Sequence, residues 1–181
     1  MKQIFKLGLF IATLNFLTDC NGQTKTESNQ NEIKTDKNKL IGGGCDGCEL
    51  MYVGMPKVIS SEHISNGWDE GKQKLILTGK VFQLDGRTPA SDVVIYYWHT
   101  DDSGLYSSND QTPKQAKEHG KLRGWVKSDK SGNYKIKTSR PDAYPNDNIP
   151  QHIHLSIKEP DIINVYYADL YFEHTFNNSV D

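Results

Sequence analysis

The sequence predicts an all-β fold, an antiparallel β-sandwich with short loops and little helix. Short strand-like runs recur from residue 74 onward, and glycine, proline and aspartate punctuate them. One of these runs, residues 92–99, is apolar on both faces, as a strand inside a sandwich is. No sustained helical period appears in this part of the sequence. These observations favour packed antiparallel sheets over a helical or mixed fold.

The strands follow one another with short connections. Residues 74–84 alternate apolar and polar side chains, and Asp85-Gly86 then supplies a turn. Further strands are expected at residues 92–99, 124–127, 133–138, 152–157 and 164–172. The longer connection, residues 103–121, is polar and is expected to hold a short helix around residues 114–119.

Residues 1–20 resemble an export signal and are not expected to belong to the fold. Lys2 and Lys6 precede an apolar run, residues 7–17, which is too short to span a bilayer as a mature helix. The run leads into Leu-Thr-Asp-Cys, which resembles the lipobox of bacterial lipoproteins, with Cys20 as the lipidated residue. Ordinary signal cleavage nearby is the alternative. We therefore predict an exported protein, anchored as a lipoprotein that faces the periplasm or the cell surface.

A polar tether and two cysteines precede the strands. Residues 21–40 are rich in Asn, Gln, Lys, Thr and Glu, so we predict a disordered tether and a folded domain at residues 41–181. Cys45 and Cys48 most simply form a local disulfide in an exported protein. A thioredoxin-like redox pair and a zinc half-site are the alternatives, but neither a βαβ pattern nor further ligands accompany the pair.

The charge balance argues against two classes of partner. The 181-residue chain carries 21 basic and 23 acidic residues, a formal net charge of -2. Such a balance gives no basic face for nucleic acid and no polybasic segment for anionic lipid. Membrane contact is therefore expected only through the lipid anchor, and a homo-oligomer is compatible with the sequence.

A pair of histidines on one predicted strand is the first candidate for chemistry. Residues i and i+2 of a strand share a face, roughly 6.5–7 Å apart. His152 and His154 can therefore converge on one metal, whereas Ile153 and Leu155 face the opposite layer. Taken alone the pair is a weak signal, because such histidines are more often surface or hydrogen-bonded residues than ligands.

Several ordered blocks accompany this pair. They are Val93-x-Ile95-x-x-Trp98, Asp101-x-x-Gly104-x-Tyr106, Leu122-Arg123-Gly124, Ser128-Asp129-x-x-Gly132-x-Tyr134 and Thr138-x-Arg140-Pro141-x-x-Tyr144-Pro145. In this order, and followed by His152-Ile153-His154, they resemble the intradiol ring-cleavage dioxygenases, the family of protocatechuate 3,4-dioxygenase and catechol 1,2-dioxygenase. The resemblance covers residues 74–172, most of the predicted domain.

The resemblance implies a mononuclear non-haem iron site. It places tyrosinate ligands of Fe(3+) at Tyr106 and Tyr144, histidine ligands at His152 and His154, and an aromatic lining residue at Trp98. It also implies a catechol-type aromatic and O2 as substrates and a muconate-type product. Tyr144 would be the ligand that the substrate displaces and that accepts a proton, whereas Tyr106 would be retained. Phenolates are hard anionic donors, and a bound cation can displace the phenolic proton at neutral pH.

Two positions depart from the family pattern. Ile149 stands where ring-cleaving members commonly carry an arginine, and Asp169 stands where they commonly carry a glutamine. A carboxylate near a catecholate dianion is expected to disfavour its binding unless it points away or is protonated. These departures motivate an alternative function, a non-catalytic cell-surface module that binds a sugar, a peptide or a catecholate.

The remaining histidines have no matching motif, and we expect them to be solvated. They are His63, His99, His119 and His174.

Overall fold

The structure is a computed structural model that describes residues 47–162 and 165–172. The predictions for the export signal with Cys20, for the tether and for Cys45 fall on residues outside these ranges, and so does His174. Within the described ranges, no helix has the length and apolar character needed to cross a membrane.

Seven strands and three short helical segments form the described part of the chain. The strands are β1 (Glu62–Ile64), β2 (Lys74–Lys80), β3 (Val94–Trp98), β4 (Arg123–Lys127), β5 (Asn133–Ser139), β6 (His152–Lys158) and β7 (Val165–Tyr171). The helical segments are α1 (Gly67–Glu70) and two 3₁₀ helices, Cys48–Tyr52 and Lys114–His119.

The strands make two sheets. The three-stranded sheet has the order β1-β5-β2, and the four-stranded sheet has the order β4-β3-β6-β7. Every pair is antiparallel except β1 with β5, which is parallel. The predicted all-β sandwich is thus confirmed, with one short parallel pairing that the sequence did not predict. β2 ends earlier than predicted, and a bridge between Phe82 and Pro89 closes the turn that follows it.

The main hydrophobic core lies between the two sheets. Ile136 of the three-stranded sheet packs there with residues of the other sheet, which are Ile95, Tyr97, Val126, Ile153 and Leu155. Because side chains alternate along a strand, the neighbouring residues of β3 and β6 point to the outer face of the four-stranded sheet. That face therefore receives His152, His154 and Ser156 from β6.

The chain covers part of this outer face with its first described helix. Met51 packs with Tyr96 and Trp98, and all three are buried. The indole of Trp125 donates a hydrogen bond to the Met51 carbonyl at 2.7 Å. A second cluster therefore buries the outer side of β3, which explains why that strand is apolar on both faces.

Cys48 begins the same 3₁₀ helix that packs on the outer face. Cys48 is disulfide-bonded, and the hydroxyl of Ser156 lies 3.3 Å from its sulfur. The predicted partner, Cys45, lies outside the described residues, so the pairing stays a prediction.

Candidate metal centre

Strand β6 presents two imidazoles side by side on the outer face. The Nε2 atoms of His152 and His154 lie 3.2 Å apart, and their rings are nearly perpendicular, at 84°. Nδ1 of His152 donates to the carbonyl of Pro150 at 2.7 Å. Nδ1 of His154 donates to the carboxylate of Asp169 at 2.6 Å. Since both Nδ1 atoms carry the proton, both Nε2 atoms present lone pairs to the same space.

Two loops bring two phenols to the same point. The carboxylate of Asp101 accepts the backbone N–H groups of Ser103 and Leu105 at 2.9 and 3.2 Å, which folds the turn before Tyr106. Gly104 within that turn has φ 72°, and a Cβ there would lie 2.0 Å from the carbonyl oxygen of Ala143. This close approach sets Tyr106 beside Tyr144.

The four side chains converge in the structure. The phenol oxygens of Tyr106 and Tyr144 are 2.5 Å apart. The Tyr106 oxygen lies 2.7 Å from Nε2 of His154. The Tyr144 oxygen lies 3.2 Å from Nε2 of each histidine. These residues are the four that the sequence resemblance singled out, and the fold brings all of them together.

This arrangement fits a metal ion. Metal–imidazole bonds of about 2.0–2.1 Å put neighbouring donor atoms roughly 3 Å apart, close to the spacing of these four atoms. The two phenols supply one proton each, whereas five contacts of 2.5–3.2 Å link the four atoms. A cation at the centre would satisfy all the lone pairs at once. Within the described residues no three His, Cys, Asp or Glu side chains form a metal cluster, because half of this donor set is tyrosine.

Burial keeps two of the donors, Tyr106 and His154, neutral in the absence of a cation. Burial raises the pKa of Tyr106 well above its ordinary value, and the neighbouring Tyr144 raises it further. Burial lowers the pKa of His154, although the carboxylate of Asp169 acts in the opposite direction. Tyr106 is therefore a neutral phenol and His154 a neutral imidazole, and a bound cation would be needed to ionise Tyr106.

Strand β7 adds three polar side chains to the site, and of these the sequence reasoning had considered only Asp169. Asp169 pairs with His154 in the ladder, and Tyr171 pairs with His152. The Tyr167 hydroxyl lies 2.7 Å from Nδ1 of His154. The signal was present as an alternation of Tyr167, Asp169 and Tyr171 along one face of the strand. Asp169 faces Nδ1, on the edge of the imidazole away from Nε2, so its carboxylate points away from the phenol oxygens.

Trp98 is a buried neighbour of the site. Its indole is 4% exposed and stacks on His154, with centroids 4.9 Å apart. His119 also stacks on the indole, with centroids 4.0 Å apart, and its Nδ1 lies 2.9 Å from the hydroxyl of Tyr96. Trp98 thus supports one histidine of the site from within the cluster, and its contact with substrate stays a prediction.

The expectation that the other histidines are solvated was wrong for the three that the structure describes. His99 and His119 are 1% and 4% exposed, and His63 is half-buried. His99 lies within hydrogen-bond distance of the Thr100 carbonyl at 2.7 Å and the Thr138 hydroxyl at 2.8 Å. His63 contacts the Tyr97 hydroxyl at 2.7 Å. Hydrogen-bond partners inside the fold offset the cost of burying these imidazoles. No local sequence pattern indicates that these histidines are buried.

Ile149, at the position of the family arginine, is 37% exposed. Among the described residues, no lysine or arginine side chain hydrogen-bonds to Tyr106, Tyr144, His152 or His154. Within the described residues, the donor atoms therefore have no hydrogen bond from a positively charged lysine or arginine side chain.

Comparison with known proteins identifies the family. A family model described as Dioxygenase matches residues 59–177, two thirds of the chain, including all four converging residues. The chain belongs to the intradiol dioxygenase family. This membership favours an enzyme over the alternative of a non-catalytic binding module.

The relatives of this family member are distant. Catechol 1,2-dioxygenase of Acinetobacter baylyi is 30% identical over 95 residues, which are 52% of this chain and 30% of that protein. Hydroxyquinol 1,2-dioxygenase from Pseudomonas putida is 23% identical with a TM-score of 0.52, over 78% of this chain and 52% of that one. Catechol 1,2-dioxygenase from Pseudomonas arvilla is 22% identical with a TM-score of 0.53, over 75% and 45%. The two structures share the fold, and the chain spans less than a third of the curated relative's length.

Proposed function

We propose that this intradiol family member is an Fe(3+)-dependent dioxygenase that cleaves a catechol-type aromatic with O2 to a muconate-type product. The observation that carries the proposal is the convergence of two phenol oxygens and two imidazole Nε2 atoms, which are linked by five contacts of 2.5–3.2 Å. Two anionic phenolates and two neutral imidazoles suit a hard trivalent cation. Tyr106, Tyr144, His152 and His154 would hold the iron.

Bound Fe(III) would supply Lewis acidity, which ionises phenolic ligands at neutral pH and polarises a chelated catechol. The chain's own residues then divide the remaining work. His152 and His154 sit on a strand that is hydrogen-bonded on both sides, so they fix the position of the site.

Tyr144 is the better candidate for the phenol that gives way to substrate and takes its proton. Residues 145–150, which follow it, are all exposed, whereas Asp101 holds the turn before Tyr106. The Tyr144 oxygen also lies farther from its imidazole neighbours, at 3.2 Å, than the Tyr106 oxygen does, at 2.7 Å. A proton from a substrate hydroxyl would pass to the phenolate oxygen of Tyr144.

An iron assay and a visible spectrum of the purified full chain test the proposal. We expect about one iron per chain and a red-brown colour, because phenolate-to-Fe(III) charge transfer absorbs visible light. Oxygen uptake with a panel of catechols, together with analysis of the ring-opened acid, then tests turnover. Tyr52→Phe, which removes the hydroxyl of a tyrosine that is 48% exposed, serves as the control and should keep the iron and the colour. A colourless protein that takes up no Fe(III) would refute the proposal.

We further propose export, with lipidation at Cys20 as the anchor. The support is the signal-like run before Cys20 and the polar segment after it. Labelled palmitate should enter the full chain in cells and should not enter Cys20→Ala. Equal labelling of both chains would contradict lipidation at this residue.

A further inference from the structure

The two histidines of the site differ in the group that accepts the hydrogen bond from Nδ1. Nδ1 of His152 donates to a neutral backbone carbonyl, whereas Nδ1 of His154 donates to the carboxylate of Asp169 at 2.6 Å. Both members of the second pair are largely shielded, with side chains 12% and 18% exposed. A short hydrogen bond to an ionised acceptor is stronger than one to a neutral acceptor, and shielding from water preserves that difference.

Strand pairing places the carboxylate. His154 and Asp169 are direct partners in the β6–β7 ladder, so their side chains rise from the same face of the sheet. A slip of one residue in this register would turn Asp169 toward the other face. The contact is therefore built into the sheet and does not depend on a loop.

Two tyrosines on the same strand hold the carboxylate in place. The Tyr171 hydroxyl donates to Oδ2 of Asp169 at 3.2 Å, while Oδ1 faces the imidazole. The Tyr167 hydroxyl lies 2.7 Å from Nδ1 of His154, and its proximity lowers the pKa of the same carboxylate. Among the described residues Asp169 has no lysine or arginine partner at ion-pair distance. Its negative charge is thus directed at His154.

We propose that Asp169 is a positioning residue that holds His154 in the Nδ1–H tautomer and makes Nε2 a stronger donor to the metal than Nε2 of His152. A carboxylate can only accept, so it permits a single tautomer, whereas an amide at this position can face Nδ1 with either its oxygen or its NH2 group. Partial transfer of the Nδ1 proton toward the carboxylate enriches the imidazole in electrons. The metal-related part of this inference rests on the proposed iron function, and the tautomer does not.

The first test measures the tautomer in the metal-free full chain. We expect ¹⁵N chemical shifts of His154 to show protonated Nδ1 and unprotonated Nε2 in the wild type. Asp169→Gln should give a mixture of tautomers, because the amide can turn over. Asp110→Asn is the matched control, since Asp110 is exposed, and it should leave the tautomer unchanged. A wild type with the proton on Nε2 would overturn the inference, and so would a variant that keeps the pure Nδ1–H form.

The second test uses Fe(III) alone as the probe, with affinity measured by competition against a chelator. Asp169→Asn and Asp169→Gln should bind about 10–100-fold more weakly. Their charge-transfer band should move to longer wavelength, because a weaker imidazole donor leaves the iron a stronger electron acceptor. Tyr167→Phe should shift both quantities in the same direction by less, and it keeps the test open if an Asp169 variant does not fold. Unchanged affinity and an unshifted band in all three variants would refute the role of Asp169.

The two proposals fail in distinguishable ways. A wild type that shows the Nδ1–H tautomer, with a mixture in Asp169→Gln, but takes up no Fe(III) would refute the iron function and support the control of the tautomer by Asp169. A wild type that binds Fe(III) with the same affinity and colour as Asp169→Asn, Asp169→Gln and Tyr167→Phe would support the iron function and refute the positioning role.

Discussion

Gly104→Ala offers a direct test of how the two tyrosine loops are held together. Gly104 adopts φ 72° in the turn that precedes Tyr106. A Cβ on this residue would lie 2.0 Å from the carbonyl oxygen of Ala143, the residue before Tyr144. The substitution therefore acts on the spacing of the two phenols without altering any of the four converging side chains.

The structure gives the size of the effect. Real Cβ contacts are essentially never shorter than 3.0 Å, so the two loops must separate by about 1 Å to admit the methyl group. The left-handed backbone costs alanine roughly 1–2 kcal/mol, and overpacking adds roughly 1–3 kcal/mol. A misplacement of about 1 Å in a reactive site can lower its activity on the order of 100-fold.

Gly86→Ala separates the two causes. Gly86 has a similar φ of 66°, and a Cβ there meets nothing within 4 Å. Urea unfolding followed by tryptophan fluorescence should show a loss of roughly 1–2 kcal/mol for Gly86→Ala and a larger loss for Gly104→Ala. Only Gly104→Ala should weaken Fe(III) binding and oxygen uptake. The reasoning is refuted if both variants lose the same stability and Gly104→Ala keeps the iron affinity of the wild type.

Three further predictions concern the site and its surroundings. His152→Ala should abolish stoichiometric Fe(III) binding in an iron assay while the metal-free protein keeps its circular dichroism spectrum; retained stoichiometric iron would contradict the ligand set. Tyr144→Phe should keep more visible charge-transfer absorption than Tyr106→Phe but lose oxygen uptake, because the retained phenolate supplies the colour and Tyr144 accepts the proton; equal spectra and equal uptake would contradict this division. Burial lowers the pKa of His99 to about 4, below the ordinary value near 6.5. The unfolded chain therefore binds more protons between these values, so the free energy of unfolding should fall as the pH drops from about 6.5 to about 4. In urea unfolding across this range, His99→Gln should show a shallower fall, and an unchanged slope would assign the pH dependence to other groups.

The strands β2 to β7 were expected close to their observed positions. Alternation of apolar residues marks the core face of β2, and β3 is marked instead by apolar residues on both faces. β1 was missed. It spans three residues, and its strand conformation comes from parallel pairing with β5, which no local pattern of so short a segment can reveal.

The candidate site shows the same limit more sharply. The resemblance placed four side chains, and the structure brings those four together. The contact of Asp169 with His154 could not be predicted from the sequence, because it depends on the register of β6 against β7. The sequence alone predicts that this carboxylate disfavours an anionic substrate, whereas the register makes it the hydrogen-bond acceptor of Nδ1 of His154.

The placement of the two histidines also explains how close lone pairs are tolerated. His154 is paired with Trp98 on one side and Asp169 on the other, so its backbone is fixed by two neighbouring strands. The stack on Trp98 and the bond to Asp169 fix the ring as well. Nε2 atoms 3.2 Å apart are therefore held by contacts that lie outside the group of donor atoms. Because the fold has already met the cost of ordering these side chains, a cation that binds there gains most of its interaction energy as affinity.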